Sequence, residues 1–289
     1  MSERLEVRKT YKLAIGGAFP RSESGRTFEV RSHDGAFLAN AALASRKDLR
    51  DAVRAARGAF AGWSGATAFN RGQILYRVAE VLEGRRAQFV DELTAIDGSS
   101  VSDAEREVSA AIDRWVWYAG WADKFAQVVG NPNPVAGPFF NLTVPEPVGV
   151  VGIVAPQRSA LLGLVSVVAP ALVAGDTVVA IASERAPLPA VTLAEVLATS
   201  DLPGGVVNVL TGSVDELAPV LAGHLDVDAL DLAGLAGHDT TALEVAAAED
   251  LKRVVRPPSS EPDWTADPPG AARITALSDF KTVWHPKGT

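Results

Sequence analysis

Apolar and polar positions follow two regimes along the chain. Up to about residue 128 the spacing is helical. Leu49, Ala52, Val53, Ala56 and Phe60 recur at three- and four-residue intervals, which predicts a helix, and Ser45-Arg-Lys-Asp48 ahead of them matches a capping box. Ile74, Val78, Val81 and Leu82 predict a second helix, and Phe89, Val90, Leu93 and Ile96 a third. Val108, Ile112, Trp115, Ala119 and Ala122 place a fourth from about Ala104 to Val128. Before the helices, Tyr11–Ile15, the pair Gly16-Gly17 and Thr27–Val30 read as strand, turn and strand.

The second regime follows the turn-rich Asn131-Pro-Asn-Pro134. Phe139–Val144 and Val148–Val154 predict two β segments separated by Pro145-Glu-Pro147. Short β-branched runs then recur at Thr177–Ile181, Val206–Leu210 and Ala229–Leu232. Helical stretches alternate with them at Leu161–Ala174, Ala190–Thr199, Val214–Ala222 and Thr240–Ala248. This alternation predicts βαβ units and an α/β fold with a doubly wound parallel sheet. The strands are nearly continuous in apolar residues because both faces of such a sheet are covered. The pattern stops at Arg256. Pro257-Pro-Ser-Ser-Glu-Pro262 and Asp267-Pro-Pro-Gly270 read as loop or linker, and the stretch from Ile274 to Trp284 ends like a strand.

Composition narrows the function classes. The 289 residues suffice for one large domain or two modest ones, and 47% apolar with 21% charged residues argues against disorder. A net charge of −8 disfavours binding to nucleic acid or to an anionic membrane. The opening MSERLEVRKTYKL has no apolar core, so no signal peptide is expected. Leu161–Ala174 is too short to span a bilayer, and the expected location is the cytoplasm. The chain contains no cysteine, which excludes disulfides, thiolate metal sites and a thiol nucleophile within it. His33, His224, His238 and His285 lack metal-ligand spacing, and no metal is expected.

Ligands of an open α/β sheet bind at the carboxyl ends of its strands. Here those ends lead into Ala155-Pro-Gln-Arg-Ser159, Ala182-Ser-Glu-Arg185, Thr211-Gly-Ser213 and Ala233-Gly-Leu-Ala-Gly237. Glu184 is placed to accept hydrogen bonds from a ribose, Ser183 beside it is a further cofactor-binding candidate, and Gly212 and Gly234 let backbone approach a phosphate. The same residues also fit plain loop glycines and a solvated carboxylate, and no lysine or serine accompanies them where a dinucleotide needs one.

Several segments together resemble the aldehyde dehydrogenase superfamily. YKLAIGGAFPRSESGRTFEV is similar to that family's opening pattern, and ASRKDLRDAVRAARGAFAGWS to its first helix. Pro145-Glu-Pro-Val-Gly-Val-Val-Gly152, Ala169-Pro-Ala-Leu-Val-Ala-Gly-Asp-Thr-Val-Val179 and Leu202-Pro-Gly-Gly-Val-Val-Asn-Val209 resemble three further family motifs. The resemblance runs from about residue 11 to 255 and implies a Rossmann-type sheet with N-terminal helices and a small β oligomerisation flap. It also implies NAD(P)-dependent oxidation of aldehydes, but the positions that carry the chemistry differ. Arg158 stands where the family has the Asn that assists the oxyanion, and Pro257 where it has the general-base Glu. Proline has no ionisable group. Of the family's ribose clamp only Glu184 remains, beside Ser183, and of its pyrophosphate loop only Gly234, with Leu235 replacing a Ser. No catalytic residue is therefore assigned, and no cofactor is expected beyond residual NAD(P) binding.

By the same resemblance, residues 1–255 form an NAD(P)-binding-like domain interrupted by an oligomerisation hairpin at about 136–150. Residues 256–273 form a linker in place of the catalytic domain, and 274–289 the family's last, oligomerising strand. The expectation is a non-catalytic structural or regulatory subunit; the alternatives are a weak NAD(P)-binding module or an NAD(P)-dependent oxidoreductase acting on aldehydes. The subunit's expected partner is a full-length aldehyde dehydrogenase or a second copy of itself, with no nucleic acid and no membrane.

Overall fold

The structure is a computed structural model that describes residues 7–266 and 269–287. The opening Met1–Glu6, Asp267 and Pro268 of the second Pro-rich stretch, and the last two residues of the final expected strand lie outside the described residues.

The N-terminal region begins with β1 (Thr10–Tyr11), β2 (Thr27–Arg31) and β3 (Phe37–Ala42). The expected strand over Tyr11–Ile15 is shorter than predicted. After Tyr11 the chain makes only single bridges, Ala14 to Val209 and Ile15 to Ala18. β1 pairs in parallel with β3, a strand the apolar pattern did not reveal, rather than with β2 across a turn. Four helices follow: α1 (Arg46–Ser64), α2 (Ala68–Gly84), α3 (Arg86–Asp97) and α4 (Val101–Trp121). The capping box is present. The Ser45 hydroxyl accepts from Asp48 N–H at 3.2 Å, and the Asp48 carboxylate accepts from Ser45 N–H at 2.8 Å. The fourth helix stops earlier than its apolar spacing predicts. The chain turns after Trp121 and resumes as the short α5 (Phe125–Val129).

The second half supplies β4 (Phe139–Pro147), β5 (Val150–Val154), α6 (Leu162–Ala174), β6 (Thr177–Ile181), α7 (Leu188–Ala198), β7 (Val207–Leu210), α8 (Val214–Ala222), β8 (Ala229–Asp231), α9 (Thr241–Ala248), β9 (Arg253–Val255), α10 (Ala271–Ala276) and β10 (Ser278–Pro286). Five of these strands form a wholly parallel sheet in the order β7-β6-β5-β8-β9. The order reverses between β5 and β8, which makes that pair the topological switch point. α6 and α7 cover one face together with α2 and α4, while α1, α8 and α9 cover the other. Every residue of α6 is buried, as expected for a helix held between the sheet and α4. Among the described residues no helix is long and apolar enough to cross a membrane.

β4 corrects the expected break at Pro145-Glu-Pro147. The strand continues through both prolines because β10 pairs with it along its whole length, from Ser278 opposite Pro147 to Pro286 opposite Phe139. Prolines are tolerated at a strand edge with few backbone partners, and among the described residues the other edge of β4 makes backbone pairings only with the 131–133 stretch. The resulting two-stranded ribbon joins residues far apart in sequence. Thr143 and Thr282 share a hydroxyl hydrogen bond of 2.9 Å across it.

Candidate functional site

At the switch point the loop after β5 and the short 3-10 turn Ala233–Leu235 after β8 approach each other closely. A Cβ on Gly234 would lie 2.0 Å from the Ala155 carbonyl oxygen. Gly234 therefore serves backbone packing across the crevice. Gly212, with φ of +151°, would bring a Cβ within 3.2 Å of Ala44 N, so it admits the chain that follows β3.

The other expected cofactor groups are also engaged within the chain. The buried Ser183 hydroxyl donates to the Gln157 carbonyl at 2.9 Å and accepts from Ala186 N–H at 3.1 Å. The Glu184 carboxylate accepts from Val214 N–H, at the first turn of α8, where the helix dipole favours an anion. Glu184 N–H donates to Gln157 Oε1 at 3.0 Å. Gln157, which the sequence did not single out, thus ties the loop after β5 to the loop after β6.

The loop after β5 is closed from above by the 257–266 strap. Glu261 accepts from three consecutive backbone N–H groups, Gln157 at 3.1 Å, Arg158 at 3.1 Å and Ser159 at 3.0 Å. The exposed Arg158 guanidinium donates to the Glu261 carbonyl at 2.9 Å. Pro257 lies two residues past the end of β9, and Pro258 accepts from Gly237 N–H at 3.2 Å. The stretch read as linker is thus a packed strap. Its Trp264 is only 2% exposed and belongs to the core beneath α6. Arg114 on α4 donates to the Trp264 carbonyl at 2.9 Å and to Ser166 Oγ at 2.7 Å. Arg273 lies over the indole at 4.9 Å and reaches Asp231, the last residue of β8, at 3.3 Å. A tryptophan set among prolines and acidic residues was the one sequence signal of this anchoring.

A buried carboxyl, Asp231, and a half-buried one, Glu107, flank the crevice. Burial pushes Asp231 above the usual carboxylate range, opposed by Arg273 and by Ala233 N–H. Burial likewise raises Glu107, opposed by hydrogen bonds from Leu162 N–H and the Ser159 hydroxyl. A carboxyl whose folded pKa exceeds its unfolded value binds its proton more tightly in the native state. Its contribution to stability then falls as pH rises from the ordinary carboxylate range to the raised value. Glu107→Gln should flatten this part of the stability profile, as measured by denaturant midpoints across acidic to neutral pH. An unchanged slope would mean that other groups carry it. Among the described residues no group of His, Cys, Asp or Glu side chains is arranged to hold a metal ion.

A family model described as "Aldehyde dehydrogenase family" matches residues 19–256. The chain belongs to the aldehyde dehydrogenase family. Among curated relatives, it is 32% identical over 260 residues to a putative aldehyde dehydrogenase, DhaS, of Bacillus subtilis, covering 88% of this chain and 52% of that protein. It is 33% identical over 248 residues to an aldehyde dehydrogenase of Davidiella tassiana, covering 84% and 49%. Among solved structures, HpcC of Thermus thermophilus superposes with a TM-score of 0.81 at 31% identity, over 85% of this chain and 47% of that one. The NAD+ complex of an aldehyde dehydrogenase of Bacillus cereus gives 0.80 at 29% identity, over 85% and 50%. The chain spans about half the length of the curated relatives it matches.

The family's nicotinamide cofactor can be tested against the groups present. Ser183, Glu184 and the N–H groups of Gln157, Arg158 and Ser159 are all taken up by internal hydrogen bonds. Leu235 presents no hydroxyl, and Gly234 is packed on Ala155. The residues present do not fit the cofactor in this conformation.

Proposed function

We propose that this member of the aldehyde dehydrogenase family is a non-catalytic structural or regulatory subunit that docks in the cytoplasm on a full-length aldehyde dehydrogenase. The observation that carries this reading is the β4–β10 ribbon. Its partner-free edge is β10, which has a single strand neighbour among the described residues. Phe139, Phe140, Phe280, Val283 and Trp284 are all exposed on it. An exposed strand edge with apolar side chains is a template for adding a strand from another chain. A lone two-stranded ribbon is marginal in water, so a partner sheet would stabilise it. Three features support a non-catalytic role: the absence of cysteine from this chain, Pro257 at the expected base position and Arg158 at the expected Asn position. A relative bearing the name "Aldehyde dehydrogenase, cytosolic 1", from Elephantulus edwardii, supports the compartment.

Co-expression with full-length aldehyde dehydrogenases of the same cell, followed by size-exclusion chromatography, tests the proposal. Co-elution with one of them is the expected result. A chain that runs as a monomer beside all of them overturns it, and a complex of this chain with itself alone reassigns the ribbon to self-association.

A further inference from the structure

We infer that the 257–266 strap is an internal ligand, with the Glu261 carboxylate filling the anion position of the sheet's first βα turn and so keeping the crevice closed. β5 is the first strand of the parallel sheet in chain order, and the turn from it into α6 lies at the switch point, where open α/β sheets take their ligands. Successive backbone N–H groups in such a turn form a concavity for an anion. Here the concavity is defined by Gln157, Arg158 and Ser159, whose N–H groups all point to one carboxylate. The Glu261 side chain is 7% exposed, so water does not compete effectively for it.

The strap is held at both ends. Upstream, Pro258 accepts from Gly237 N–H, which fastens the strap to the segment after the 3-10 turn on the β8 side of the crevice. Downstream, the Trp264 indole is buried beside α6 and its carbonyl accepts from Arg114. Glu261 therefore bridges the two sides of the switch point rather than resting on one. In this arrangement the carboxylate meets the hydrogen-bonding needs of the loop that a bound carboxylate or phosphate would otherwise meet. The inference is independent of docking, because the β4–β10 ribbon joins the sheet at the opposite end, where β4 runs into the start of β5.

Glu261→Ala tests this by chemical rescue. The variant should lose about 5 °C of thermal midpoint, the scale expected for removing a charge-assisted cluster from a domain of this size. Sodium acetate or inorganic phosphate at about 100 mM, against chloride of matched ionic strength, should restore part of that loss while leaving the parent chain unmoved. Amide exchange at Gln157, Arg158 and Ser159 should speed up in the variant and slow again with acetate. Glu261→Gln keeps the side-chain volume, and the same titration on it covers the case in which the alanine variant does not fold. An equal response of variant and parent to acetate and phosphate overturns the inference. So does exchange at the three amides that is as fast in the parent as in the variant.

Discussion

Trp284→Asp is expected to abolish co-elution with a full-length aldehyde dehydrogenase while leaving the thermal midpoint of the free chain within about 2 °C of the parent, since surface substitutions cost little. Trp284 is 59% exposed, so its truncation removes little intramolecular packing. Its indole contacts Phe139 edge-on at 5.8 Å, and Phe280 and Thr282 lie on the same face of β10. Large aromatics at the centre of an interface carry a disproportionate share of binding energy, about 2 kcal/mol or more each. A carboxylate buried there without a partner adds a further penalty. Together these amount to a loss of roughly two orders of magnitude or more in affinity. Lys281→Ala serves as the contrast. Its ammonium pairs with Glu146 at 2.7 Å on the exposed ribbon, and exposed pairs contribute about 0–1 kcal/mol. It should weaken the complex far less. Equal loss in the two variants, or none in Trp284→Asp, would remove this face of the ribbon from the interface.

Trp264→Ala is expected to cost about 3–5 kcal/mol of folding stability, measured by equilibrium denaturation. The indole is among the largest fully buried side chains, in contact with the apolar core. Its truncation also removes the ring over which Arg273 lies. Trp264→Phe is the informative companion. The indole Nε1 is buried without an acceptor, so replacing it removes an unsatisfied donor while keeping most of the apolar surface. Phenylalanine should therefore cost well under half of what alanine costs. Equal costs for the two would show that the strap is not anchored through the ring.

The parallel sheet was legible because its signals are local. Thr177–Ile181 and Val214–Ala222 were bounded correctly to the residue, since a strand buried on both faces and a helix bounded by a serine and a glycine announce themselves within a few residues. Ser45 and Asp48 are three positions apart, so their mutual capping was readable as well. The errors lie where distant segments decide the outcome. Nothing near Pro145 and Pro147 indicates that β4 continues through them, because the strand that holds them open is β10. The short β3 was hidden because Phe37–Ala42 contains Asn40 and several alanines and lacks a clear alternation.

The candidate site was less legible than the fold for the same reason. Ser183, Glu184, Gly212 and Gly234 follow the ends of β6, β7 and β8. Their partners, among them Gln157, Val214, Ala44 and Ala155, follow from how the loops meet. Glu261 and Gln157 are 104 residues apart, and no periodicity connects them. Glu107 and Arg114 sit on a helix whose pattern reports only which face is buried. It does not report that these polar groups meet the loop after β5 and the strap.

The pairing of β4 with β10 also has a kinetic side. Thr143 and Thr282 stand 139 residues apart, and the entire parallel sheet lies between them. Closing so long a loop carries an entropic cost that local contacts do not share, and contacts of this kind form late in folding. The ribbon should therefore assemble only after the sheet has brought its two strands together. A chain whose core has not yet folded would present no finished ribbon, so recruitment by a partner would select for molecules that have completed folding.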